Sequence, residues 1–324
     1  GLREQAVAAD TQRLGAVRVG VGIRLGRAVQ TREWLYGTYE WCQVWIMGPR
    51  AGKTRSVAIP QVVEHGGPVV STSNKRDVHD KTRGPRSEVG RCWVNDPQSI
   101  AGESAQWWWN PLSFVTNVER AEQMVGIFAA ARTSEDTAGI DPYFEPEGRN
   151  LLANLLIAAA VTGEPITRLP DWLTGRDPRP GVPDPVKILR DHGYPQMAKD
   201  IADNLALDDG QRDGLYGTAR SFIRFLRDPR YTPWMSPTGP DDRRSQFDPD
   251  AFVRSSDTLY LLSKEGPGSA RALTGGLVAA VYAAGEQLAE RSGGRVPDPV
   301  LFSLDEAANI CRWPELPSLY SHAG

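Results

Sequence analysis

The sequence predicts an α/β protein with a central, mostly parallel sheet and a mostly helical insertion. Three observations carry this. An apolar, β-prone run, CQVWIM (42–47), leads into a glycine-containing turn and then a helix-like stretch from Thr54 to His65. Four further apolar runs, PVVSTS (68–73), RCWVND (91–96), TLYLLS (258–263) and PVLFSLDE (299–306), read as buried strands and lie towards the two ends of the chain. The middle carries helix-period apolar positions instead.

In chain order, residues 1–40 are a lead-in to the core. Residues 41–114 supply the first strands, with a turn or helix between each pair, as a parallel sheet requires. From 115 to 248 the segments TNVERAEQMVGIFAAA, GRNLLANLLIAAAV, YPQMAKDIADNLAL and GLYGTARSFIRFLR predict helices, separated by turn-rich text such as GRDPRPGVPDP. Residues 249–324 return to the core, their two strand runs bracketing a helical stretch from Ser269 to Arg291. The expected organisation is one α/β domain, 41–114 with 249–324, interrupted by a helical insertion over 115–248.

At 324 residues and 40% hydrophobic content the chain can bury a large core. Its longest apolar stretch, Leu155 to Val161, falls far short of the roughly 18 residues a membrane helix needs. Cys42, Cys92, Cys311 and His65, His79, His192, His322 occur singly, without zinc-site or disulfide spacing, which fits a reducing compartment. The net charge of −3 gives no whole-protein attraction to phosphate polymers, so nucleic acid would have to be held locally.

The chemistry is concentrated in two stretches. Gly48-Pro49-Arg50-Ala51-Gly52-Lys53-Thr54 follows the phosphate-loop pattern G-x-x-x-x-G-K-[ST], except that Met47 stands at the first glycine. Loop N–H groups can surround phosphate oxygens, Lys53 adds a point charge, and the Thr54 hydroxyl can ligate Mg²⁺. The missing glycine affects the angle at which the loop is entered. In VLFSLDE an apolar strand ends in two acids: Asp305 is suited to the Mg²⁺ shell and Glu306 to polarising a water for in-line attack on the γ-phosphate. Together these predict an ATPase that uses ATP with Mg²⁺, with Lys53 and Glu306 as the catalytic pair.

The segments MGPRAGKT, WWWNPLSF after RCWVNDPQ, and above all LFSLDEAANICRWPELPSLYS resemble the TraG/TraD-like coupling ATPases of conjugation and type IV secretion. In that family a P-R-[SA]-G-K loop, a W-N-P-L segment and L-D-E-[AF]-A-N with a following L-P-x-L recur in this order. The resemblance spans about residues 20 to 324. It implies a RecA-like P-loop core with an all-α insertion, assembled as a homohexamer on the cytoplasmic face of the cell membrane. Such a ring would hydrolyse ATP to pass single-stranded DNA with its relaxase, or protein substrates, into a type IV secretion channel. It further implies membrane helices upstream, and a polar sensor strand and an arginine acting on the neighbouring site beyond the L-P-x-L segment. The chain departs from the family at Ser73-Asn74-Lys75, where a D-P-K-like turn is usual. Two other readings stand beside this one: a FtsK/HerA-like translocase on duplex DNA, and an ATP-dependent recruitment platform.

Two more features bear on nucleic acid. Trp107, Trp108 and Trp109 could stack bases, but beside Asn110-Pro111 they read more simply as packing anchors. Arg220, Arg224 and Arg227 recur at i, i+4, i+7 and predict a basic helical stripe near Phe222 and Phe225, more simply a solvated face than a DNA contact.

Overall fold

The computed structural model describes residues 3–13, 19–48, 50–133, 138, 141–175, 180–266 and 270–319. Two compact units form: one from residues 1–104, 248–265 and 277–324, the other from 105–247 and 266–276.

In the first unit a helix, Glu4–Arg13, precedes an antiparallel hairpin of β1 (Ile23–Arg27) and β2 (Trp34–Gly37). The central sheet follows. β3 (Val69–Ser73) leads through the helix Asp77–Ser87 to β4 (Cys92–Asn95). In the second unit β5 (Trp107–Trp108) pairs with β6 (Ser245–Gln246), after which β7 (Thr258–Leu262) and β8 (Leu301–Leu304) return to the central sheet. Its spatial order is β4-β7-β3-β8 and every pairing in it is parallel, with Val69 opposite both Thr258 and Leu301, and Cys92 opposite Thr258. β3 and β7 are buried along their whole length, which their nearly unbroken apolar or small side chains allow. The architecture is thus the α/β, RecA-like P-loop type with a central parallel sheet and many helices. Because the strands run in one direction, Ser73, Asn95, Leu262 and Leu304 all end at the same edge, where ligands of open parallel sheets bind.

One expected strand does not form. Residues 42–47 have no regular secondary structure, and Val44 and Ile46 are 70% and 93% exposed. A strand needs a hydrogen-bonding neighbour as well as β-prone residues. Here Trp41–Trp45 and Val300–Leu304 both line a cavity of about 520 Å³, and no ladder joins them.

The second unit is predominantly helical. Val118–Ala131, Glu145–Thr162, Pro195–Leu205 and Asp209–Phe222 are its longer helices, and Asn117, Asp184 and Asp208 cap helix starts by accepting from backbone N–H groups. Trp107 and Trp109 are buried; Trp107 packs edge-on against Trp234 and tilted against Phe247, which makes these rings core residues rather than base-stacking platforms. The arginine stripe is also absent. The helix carrying Arg220 stops at Phe222, Arg224–Arg227 is a 3₁₀ turn, and Arg220 donates to the Leu173 carbonyl at 2.7 Å. Aromatic and β-branched residues at 222 and 223 weaken the helix where the stripe would have continued.

Behind the sheet, fully buried Arg86 donates to the carbonyls of Gly67 (2.9 Å), Ser256 (2.8 Å) and His65, and to the Thr258 hydroxyl (2.6 Å), tying the entries of β3 and β7 together. Buried His65 donates from Nε2 to the Pro299 carbonyl at 2.8 Å. Burial pushes its pKa down to about 4 from 6.5. The neutral ring is therefore favoured in the fold, and the unfolded chain takes up the extra proton. This contribution is present above pH 6.5 and is lost as the pH falls towards about 4. The expected loss is ~1.4 kcal/mol per pH unit within that window. Urea midpoints between pH 7 and pH 4.5 should fall more steeply for the native sequence than for His65→Gln; parallel curves would contradict it.

Candidate functional site

The loop after Met47 turns back on itself: the Ala51 N–H donates to the Gly48 carbonyl at 3.2 Å, Arg50 has φ +59° and Gly52 has φ +88°. Gly52 is a position where a side chain would strain the backbone. A Cβ at Gly48 would meet nothing within 4 Å, so packing in this conformation does not demand glycine there. Gly48, Arg50 and Ala51 are exposed, and Pro49 lies outside the described residues. A helix then begins with a wide π-type turn, Thr54–Ala58, and continues as Ile59–Glu64. Such turns recur at functional sites because they re-aim side chains within a helix.

Opposite, β8 ends at Leu304 and delivers Asp305 and Glu306. The Thr72 hydroxyl on β3 donates to the Asp305 carbonyl at 2.8 Å, fixing that exit. Glu306 takes the left-handed conformation, φ +54° and ψ +34°, ahead of the short helix Ala307–Ile310. A non-glycine residue held there stores of order 1–3 kcal/mol, a cost characteristic of functional turns.

The two stretches meet. Lys53 Nζ lies 2.9 Å from Asp305 Oδ1 and 3.4 Å from Glu306 Oε1, and the Thr54 hydroxyl lies 3.5 Å from Asp305 Oδ2. The Lys53–Asp305 ion pair is close, though its approach to Oδ1 is off the direction of an ideal hydrogen bond. Asp305 is the first cause holding the Lys53 pKa above its ordinary value; partial burial opposes it and Glu306 adds to it. Lys53 thus stays cationic and, with its side chain one-third exposed, accessible. Of the loop residues, Lys53 and Thr54 join the two acids, whereas Gly48, Arg50 and Ala51 stay on the exposed turn.

The Thr54 hydroxyl and the Asp305 carboxylate form a pair of hard oxygen donors. No group of three or more His, Cys, Asp or Glu suited to a metal occurs among the described residues. A divalent cation held here would take its remaining ligands from phosphate and water, as Mg²⁺ commonly does. Glu306 Oε1 lies beside the Lys53 ammonium at 3.4 Å.

Three residues with no role assigned from sequence also converge. Asn309 Nδ2 donates to Glu306 Oε2 (3.3 Å) and to Glu265 Oε1 (3.1 Å), and Asn74 Nδ2 donates to that same Glu265 oxygen (2.9 Å). Their shared signal is position, each lying just past the C-terminal end of a parallel strand. Lys75 is exposed, and its backbone N–H donates to Ser73 Oγ.

Comparison with known families gives a match over residues 8–317 to the family described as Type IV secretory system Conjugative DNA transfer. The chain belongs to this family. Membership makes it a TraG/TraD-like coupling protein of type IV secretion, a role that implies interaction with DNA and with components of the secretion system. No curated protein matches the chain. Among the described residues of this coupling protein, no helix is long and apolar enough to cross a membrane.

Proposed function

We propose that this coupling protein is an ATP-hydrolysing motor that moves single-stranded DNA, with or without attached protein, into a type IV secretion channel. The observation that carries the reading is the convergence of Lys53 and Thr54 with Asp305 and Glu306, some 250 residues away in sequence, at the C-terminal edge of a parallel sheet. Lys53 would exchange its carboxylate partners for phosphate oxygens. Thr54 and Asp305 would hold Mg²⁺, which when bound neutralises phosphate charge. Glu306 would accept the proton of an attacking water. The donor chemistry fits: two hard oxygens for the cation, one accessible ammonium for the anion, and one further carboxylate, 3.4 Å from that ammonium, for the proton.

A homohexameric ring on the cytoplasmic face of the cell membrane, a membrane anchor, and a helical unit over about residues 115–248 that screens substrates belong to the same proposal. Family membership favours a conjugative DNA-transfer role over that of an intracellular FtsK/HerA-like translocase. ATP turnover at high protein concentration should rise several-fold with single-stranded DNA and less with duplex. Equal stimulation by both, or by duplex alone, would favour the duplex translocase. Measurable ATP binding with no turnover under any condition would favour the recruitment platform.

A further inference from the structure

We infer that Asn309 and Glu265 are positioning residues for the Glu306 carboxylate, an inference that rests on the proposed role of Glu306 as proton acceptor. Glu306 has two oxygens with different partners: Oε1 faces Lys53 Nζ at 3.4 Å and Oε2 accepts from Asn309 Nδ2 at 3.3 Å. A carboxylate held by one oxygen cannot rotate freely, so the other keeps a fixed direction.

Asn309 is itself held twice. Its backbone N–H donates to the Glu306 carbonyl at 2.9 Å, closing the turn that follows the left-handed residue. Its side-chain nitrogen stands between Glu306 Oε2 and Glu265 Oε1, at 3.3 and 3.1 Å. Two carboxylate oxygens can be bridged at one atom only by a group with two hydrogens, so the amide must present its NH₂ there; its oxygen would meet two acceptors. Glu265 in turn accepts from Asn74 as well as Asn309, which fixes it over the ends of β3 and β8. The hydrogen bonds run without a break from Asn74 on the β3 exit, through Glu265 on the β7 exit, to Asn309 and Glu306 on the β8 exit.

Each link is at least partly solvent-exposed, so the expected effect is on aim rather than on folding. Asn309→Ala should lower kcat for ATP about tenfold with KM changed less than twofold, since a bond that orients the base acts on the chemical step. Glu265→Ala should lower kcat about threefold. Glu265→Gln, whose carbonyl oxygen still accepts from both amides, should restore more than half of the native rate. All three should melt within a few degrees of the native protein.

A second readout needs no turnover: in the nucleotide-free protein with labelled asparagine, the Asn309 side-chain amide resonances should shift in both Glu306→Gln and Glu265→Gln, and those of Asn74 in Glu265→Gln. Unmoved Asn309 resonances in Glu306→Gln, or an Asn309→Ala enzyme with native kcat, would overturn the inference. Resonance shifts as expected, with full turnover in Glu306→Gln, would overturn the assigned role of Glu306 and leave the contacts standing.

Discussion

Glu306→Gln is expected to keep Mg·ATP bound and to lower ATP turnover by on the order of 10²-fold or more, the usual worth of a positioned general base. The amide matches the carboxylate in size and can still accept from Asn309 Nδ2 and lie near Lys53, so the left-handed turn and the local contacts survive. What it loses is the capacity to take a proton. Removing one negative charge beside Lys53 should leave nucleotide affinity unchanged or slightly tighter. A variant that loses binding as severely as turnover would show that Glu306 supports the phosphate side of the site instead.

Lys53→Ala is expected to raise the dissociation constant for ATP by roughly 10- to 100-fold, the loss of one charge-assisted contact. The effect should be at the upper end because Lys53 is the cation that both acids share, at 2.9 Å and 3.4 Å. Without it Asp305 and Glu306 face an incoming polyphosphate as two uncompensated negative charges. The fold should be untouched, since the side chain is one-third exposed and belongs to no apolar cluster. Native-like melting with lost binding is the predicted pair of results. Undiminished ATP turnover in this variant would remove the nucleotide assignment.

Much of this geometry is visible in the linear text because its determinants are local. PVVSTS, RCWVND, TLYLLS and PVLFSLDE each contain a strand of the central sheet, since strands of a parallel sheet are written as short apolar runs; β3 and β7 are buried throughout, whereas β8 is half-buried. CQVWIM has the same composition and forms none, because a strand is completed by its neighbour and composition does not report the neighbour. Lys53 and Thr54 stand out by their spacing from Gly52, and Asp305 and Glu306 by two acids at a strand end, so four residues that meet within 3.5 Å can be picked from two motifs. The positioning residues are another matter. Glu265, Asn74 and Asn309 are ordinary polar residues at strand exits, and only the order of strands in the sheet brings them together. The arginine spacing misleads for a related reason: it presumes an unbroken helix past Phe222, and the helix ends there.

The proposal as a whole turns on whether Lys53, Thr54 and Asp305 hold a nucleotide with its metal. Equilibrium titration with a fluorescent ATP analogue, with and without Mg²⁺, on the native chain and on Asp305→Asn tests this most directly. The expected result is saturable binding at one site per chain that Mg²⁺ strengthens, with the Mg²⁺-dependent part lost in Asp305→Asn while the metal-free part remains. Absence of saturable binding, or a Mg²⁺ effect equally large in Asp305→Asn, would contradict it.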